Sequence, residues 1–163
     1  MKHMPSWILA AFIFALLLPA AAKAQTGEAL YLVAAKESRV KAQKWIDFLN
    51  AYDQPVEHYV LSEVDLVKDK DFIALTGGLD EKGFRDLLVE IIGESEVSAL
   101  EKADAGKMFL KEDVWKPGQK VIVFAGKDTD AAVEARSDAK ETWMEYFEEW
   151  FDLEEIPGGL RAY

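Results

Sequence analysis

Apolar residues recur along this chain with two different periods. Residues 29–35, Ala-Leu-Tyr-Leu-Val-Ala-Ala, form an unbroken apolar run of strand length, as expected of a strand covered on both faces. Ala42, Trp45, Ile46, Leu49 and Tyr52 then fall at helical spacing, with Lys41, Lys44, Asp47 and Asn50 mostly opposite. Ser38 is available to cap that helix and Pro55 to end it. Val56 to Leu61 reads as a second strand. An acidic linker, Ser62 to Asp71, leads to a third strand, Phe72 to Thr76, which runs into Gly77-Gly78. Glu81 to Ile92 repeats the helical pattern through Phe84, Leu87, Leu88 and Ile91, with Gly93 as its C-cap. A short helix is expected within Glu94 to Gly106, a short strand over Met108 to Lys111, a Pro117-Gly118 turn, and a strong strand from Lys120 to Ala125 ending at Gly126. The last element is one long helix from Thr129 to about Leu153, opened by Asp128, Thr129 and Asp130 and stopped by Pro157-Gly158-Gly159. Strands separated by helices imply a mostly parallel sheet covered on both sides, a three-layer α/β sandwich.

The N-terminus changes the picture of what the working molecule is. Lys2 and His3 precede an uncharged apolar run, Trp7 to Leu18, which is shorter than the roughly 20 residues of a membrane span. Pro19 breaks it, and Ala22 and Ala24 supply the small side chains of a signal-peptidase site. Residues 1–24 therefore read as a cleavable signal peptide and residues 25–163 as a single α/β domain ending in an aromatic-rich helix and short tail. The expected location is extracytoplasmic, periplasmic or secreted, with no stable membrane insertion after cleavage.

Composition narrows the chemistry. The chain has no cysteine, which removes disulfides, thiol catalysis, thioether haem and cysteine-zinc sites. Cleavage would remove Lys2 and Lys23 and no acid, leaving 17 basic against 30 acidic residues, a net of −13. Such a surface repels phosphate backbones, so nucleic acid is not an expected partner. No cofactor and no metal is implied. Asp128, Asp130 and Asp138 do not fit a calcium loop.

Two glycine turns hold the candidate chemistry. Thr76-Gly77-Gly78-Leu79-Asp80-Glu81-Lys82-Gly83 stands where a phosphate loop would, between a buried strand and a helix. Gly78 and Gly83 have the spacing of the P-loop glycines, but Phe84 and Arg85 follow instead of Lys and Ser or Thr. Asp80 and Glu81 would also repel a polyphosphate, so a tight strand-to-helix turn is the better account. Gly126-Lys127-Asp128-Thr129 is the second such turn. Ligands of open parallel sheets bind beyond the carboxyl ends of the strands. A small-molecule site would therefore gather Thr76, Gly77, Gly78, Gly126, Lys127, Asp128 and Thr129, with Lys36 near it; the plain alternative is that both segments are merely turns. His58, the single histidine left after cleavage, has no triad around it in sequence.

The final helix carries Trp143, Phe147, Trp150 and Phe151 at helical spacing, widened by Met144 and Tyr146, among Glu141, Glu145, Glu148, Glu149 and Asp152. Core packing explains most of that pattern. The competing expectation is that these four aromatic residues dock a protein partner or another copy of the chain.

Leu61-Ser62-Glu63-Val64-Asp65-Leu66, then Asp71-Phe72-Ile73-Ala74-Leu75-Thr76-Gly77-Gly78-Leu79, and later the stretch from Trp115-Lys116-Pro117-Gly118 through Val121-Ile122-Val123-Phe124-Ala125-Gly126-Lys127-Asp128 to Ala132, resemble in order the Rossmann-like domain of archaeal S-layer-type proteins. The resemblance spans roughly residues 61–135 and implies a Rossmann-like extracytoplasmic module; no catalytic residue carries over. The leading expectation is thus an exported, non-enzymatic binding or cell-envelope interaction module. The alternative is a small exported enzyme or ligand carrier that uses the crevice between the loops at 76–80 and 126–129.

Overall fold

The computed structural model describes residues 29–34, 38, 41–52 and 54–153, with the backbone alone for Lys44 and Trp45. The expected leader, Lys36 and the Pro157-Gly158-Gly159 stop lie outside the described residues.

The protein is an α/β fold with a five-stranded, mostly parallel sheet flanked by helices. In chain order the elements are β1 (Leu30–Ala34), α1 (Gln43–Ala51), β2 (Val56–Tyr59), a 3-10 helix (Leu61–Leu66), β3 (Phe72–Gly78), α2 (Phe84–Ile92), α3 (Glu94–Lys102), β4 (Lys107–Glu112), β5 (Lys120–Gly126), α4 (Thr129–Asp138) and α5 (Lys140–Phe151). The strand order is β2-β1-β3-β5-β4, with β1 parallel to β2 and β3, β3 parallel to β5, and β4 antiparallel to β5. The chain moves outward from β1 to β2 and then crosses back to β3 on the other side. The sheet therefore reverses its direction of growth between β1 and β3, with the carboxyl ends of both strands on the same edge.

The continuous apolar runs are explained by burial on both faces. Successive strand residues point to opposite faces, and they feed two separate clusters. Leu30, Leu32, Ala74, Ile122 and Phe124 pack with Ile46, Phe48 and Leu49 of α1 and with the aromatic residues of α5. Val33, Ile73, Leu75, Val121 and Val123 pack with Phe84, Leu87, Leu88 and Ile91 of α2 and with Val97 and Leu100 of α3.

Three details depart from the sequence pattern. The segment expected as a linker from Ser62 contains a 3-10 helix, tied at its start by Val60 N–H donating to Glu63 Oε2 at 3.0 Å. The long helix from Thr129 is two helices, because Ala139 sits at φ −87° and ψ 15° between them. Trp143 Nε1 donates to the Arg136 carbonyl at 2.9 Å, taking the acceptor that the next helical N–H would use, and Ser137 Oγ bonds back to the Val133 carbonyl at 3.1 Å. The third departure is at α1. Ala42 occupies its N-cap without a side-chain cap bond, and the Ser38 hydroxyl is engaged elsewhere.

The β4–β5 hairpin turns through Asp113 at φ 56° and Gly118 at φ 79°, with Gly118 N–H donating to Asp113 Oδ1 at 2.6 Å. Gln119, fully buried beside it, donates from Nε2 to the carbonyls of Lys68 and Lys70 at 3.0 and 2.7 Å and accepts from Trp115 N–H at 3.0 Å. One amide thereby stitches the hairpin to the segment that enters β3.

Candidate functional site

The register of the sheet brings the two glycine turns side by side. Gly77 lies opposite Ala125 and Gly78 opposite Gly126, and Leu79 N–H donates to the Gly126 carbonyl at 2.9 Å. Thr76, Gly77, Gly78, Gly126, Asp128 and Thr129 are thus neighbours at the carboxyl ends of β3 and β5. Lys127 belongs to the same turn, but its ammonium pairs with Asp104 at 2.8 Å, between α3 and β4. That pairing raises the lysine above its ordinary value and lowers the aspartate below its own. His58 stands on β2 opposite Leu32, separated from β3 by the whole of β1.

The turns meet by close backbone approach. A Cβ on Gly78 would lie 2.4 Å from Asp128 C and 2.5 Å from Thr129 N, and one on Gly126 would lie 2.5 Å from the Ala131 Cβ. The space over these glycines is filled by the chain itself. Asp128 caps α4 by accepting from Ala131 N–H at 2.9 Å.

A carboxylate joins the turns to Ser38 after β1. Glu81 folds back toward Gly78, whose carbonyl accepts from Glu81 N–H at 3.0 Å while Glu81 Oε1 accepts from Gly78 N–H at 3.2 Å. The same Oε1 accepts from Ser38 Oγ at 2.6 Å and from Thr129 Oγ1 at 2.9 Å. Ser38 after β1, the last residue of β3 and the first residue of α4 thereby converge on one oxygen atom. Among the described residues its twin, Oε2, is buried without a hydrogen-bond partner, and so is the hydroxyl of Thr76. On the α4 side, burial pushes the Arg136 guanidinium below its ordinary value, and Nη2 donates to the Lys41 carbonyl at 2.6 Å. The Lys41 ammonium in turn pairs with Asp130.

Ser38 and Glu81 are the members of this cluster that sequence reasoning does not assign to it. Their hydrogen bond joins residues 43 positions apart, so no local pattern announces it. The Gly-x-x-Glu spacing of Gly78 and Glu81, in which the glutamate returns to an N–H three residues back as the glutamate of a capping box does, is the available signal for it.

The four aromatic residues offered as a docking face are placed in the core. Trp143, Phe147, Trp150 and Phe151 are all buried, Phe147 completely, and they pack against Phe48 and Phe72. Among the described residues large apolar side chains are exposed instead at Val60, 39 % exposed just after β2, and at Leu66, 62 % exposed at the end of the 3-10 helix.

Among the described residues no group of acids and histidines could hold a metal ion, and no helix is long and apolar enough to cross a membrane. Fold and site together define an α/β protein with a polar knot at the carboxyl edge of its sheet. Comparison of the chain with protein-family models, curated proteins and solved structures finds no match.

Proposed function

We propose that the protein is an exported, non-enzymatic module of the cell envelope, built as a three-layer Rossmann-like sandwich, that works by surface contact rather than turnover. One observation carries the reading. At the edge where sheets of this kind take their ligands, Glu81 Oε1 draws together Ser38, Gly78 and Thr129, and the Gly78 and Gly126 turns are closed by the chain's own atoms. A cleft already filled in this way suits a structural or interaction module better than a catalyst. The signal-like residues 1–24, the acidic surface and the resemblance of residues 61–135 to S-layer-type domains support the envelope as its place. With the α5 aromatics in the core, the exposed apolar residues Val60 and Leu66 are the better candidates for the contact.

The test is sedimentation velocity of the chain from Gln25 onward, across a concentration series and with envelope extract. Association that Leu66→Glu abolishes while the melting temperature holds is the expected result. An unchanged profile under every condition would count decisively against it. The alternative, a small exported enzyme or ligand carrier using the loops at 76–80 and 126–129, draws support from the buried, unpartnered Thr76 hydroxyl. A panel of metabolites, sugars, nucleotides and divalent cations separates the two readings. A compound that raises the melting temperature of the wild type, and not of Gly78→Ala, establishes the carrier instead.

A further inference from the structure

Three donors, from Ser38 after β1, the last residue of β3 and the first residue of α4, point at a single oxygen. Ser38 Oγ lies 2.6 Å from Glu81 Oε1, Thr129 Oγ1 2.9 Å and the Gly78 N–H nitrogen 3.2 Å. Two hydroxyls and a backbone N–H converging in this way form the kind of donor set that holds an oxyanion. They stand after β1, at the last residue of β3 and at the start of the helix after β5, on the carboxyl edge where a parallel sheet takes its ligands.

Among the described residues, the carboxylate that occupies this donor set is held by it alone. Glu81 Oε2 is buried and unpartnered, 3.0 Å from where a Gly77 Cβ would stand, in space bordered by the Phe84 ring. In water both oxygens would be hydrated, so the bonds to Oε1 must offset the loss at Oε2. Nor, among the described residues, does a cation pair with the side chain. The nearby ammonium groups of Lys41 and Lys127 are engaged by Asp130 and Asp104. We infer that the carboxyl edge of the sheet holds an oxyanion site for a carboxylate group, filled from within by Glu81, and that a free carboxylate occupies it once that side chain is removed.

Charge defines the class of guest. The Asp80 carboxylate lies against Gly78, and Asp128 opens the adjacent helix. Exchanging one carboxylate for another leaves the local charge unchanged, so these acids oppose acetate or formate no more than they oppose Glu81. A doubly charged phosphate adds a charge beside them and is the poorer guest.

The test is chemical rescue of Glu81→Ala in the chain from Gln25 onward, followed by thermal unfolding. Sodium acetate at ten times its dissociation constant is expected to raise the melting temperature by about 4 °C over sodium chloride of equal ionic strength. Phosphate should raise it less. Thr129→Val in the Glu81→Ala background should cut the acetate response severalfold. Wild-type protein should respond to acetate no more than to chloride, because its tethered carboxylate competes at high effective concentration. If Glu81→Ala is unfolded without additives, acetate and not chloride should restore its folded circular dichroism. Equal effects of acetate and chloride on Glu81→Ala, folded or unfolded, would overturn the inference. So would equal acetate responses in Glu81→Ala and wild type, which would place the anion elsewhere. Neither result depends on which surface makes the envelope contact, so this site and that reading stand or fall separately.

Discussion

Two neighbouring glycines do different work at the edge of the sheet. A Cβ on Gly78 would meet backbone atoms, Asp128 C at 2.4 Å and Thr129 N at 2.5 Å, which cannot yield without moving the turn. A Cβ on Gly77 would meet Glu81 Oε2 at 3.0 Å and the Phe84 ring at 3.2 Å, both side-chain atoms able to shift by tenths of an ångström. Gly78→Ala should therefore cost about 2–3 kcal/mol and Gly77→Ala less than half as much, read as midpoints of urea unfolding. The reverse order would mean that the turns are not packed as described. The glycines were legible in the sequence, because a glycine pair ending an apolar run announces a tight strand-to-helix turn. What fills the space around them was not. Ser38 reads locally as a helix cap and Glu81 as a charge hostile to phosphate, and both statements concern near neighbours only. The hydroxyl-to-carboxylate bond depends on the strand order, which places the end of β1 beside the end of β3.

At the scale of elements, the sequence pattern located β1, β3 and β5 within a residue or two. Strands covered on both faces need unbroken apolar runs, and few other elements do. Helix α5 was legible as amphipathic but not as separate from α4, since its break rests on the Trp143 indole reaching the Arg136 carbonyl. The break has consequences for mutations. Trp150 stacks on Phe72 at 5.7 Å between ring centres and lies against Phe147 in the core. Trp150→Ala should cost about 3–5 kcal/mol of unfolding free energy, whereas Leu66→Glu, on an exposed position, should stay within about 0.5 kcal/mol. A stable Trp150→Ala that had lost only a binding activity would return α5 to the role of docking helix. The β4–β5 hairpin offers a parallel case in a polar residue. Gln119→Leu keeps the volume but strands the Lys68 and Lys70 carbonyls and the Trp115 N–H. Since a buried unpaired group costs about 1–3 kcal/mol, a loss of at least about 2 kcal/mol is expected in urea unfolding. A neutral result would mean that water reaches all three groups.

Over the whole molecule, stability is a contest between local pairing and overall charge, and acid and salt probe it from opposite sides. The Glu90 carboxyl is held below its ordinary value of 4.5 by the Trp115 indole N–H at 2.6 Å, against partial burial, and by Lys68 at 3.2 Å. A carboxylate lowered on folding contributes stability that is fully present above about pH 4.5 and is lost as pH falls through its folded value. Trp115→Phe should therefore flatten the fall of the urea midpoint in that window and leave its slope above about pH 6 unchanged. Salt acts on the overall charge. Glu141, Glu145 and Glu149 follow one another at intervals of four along α5, and like charges so placed repel. The described ion pairs, such as Arg85 with Glu94 at 2.6 Å and Lys127 with Asp104 at 2.8 Å, involve largely exposed side chains. Exposed pairs contribute about 0–1 kcal/mol each, while the repulsion acts throughout a chain of net charge −11. Screening at about 0.5 M salt shortens the range of both to a few ångströms, and the stronger of the two decides the sign. Moving from about 20 mM to about 0.5 M sodium chloride should raise the melting temperature by about 2–5 °C, because repulsion is what the salt removes. A fall in melting temperature would mean that attraction within the ion pairs outweighs the repulsion, and that the acidic surface is held by its lysines and arginines more tightly than their exposure allows.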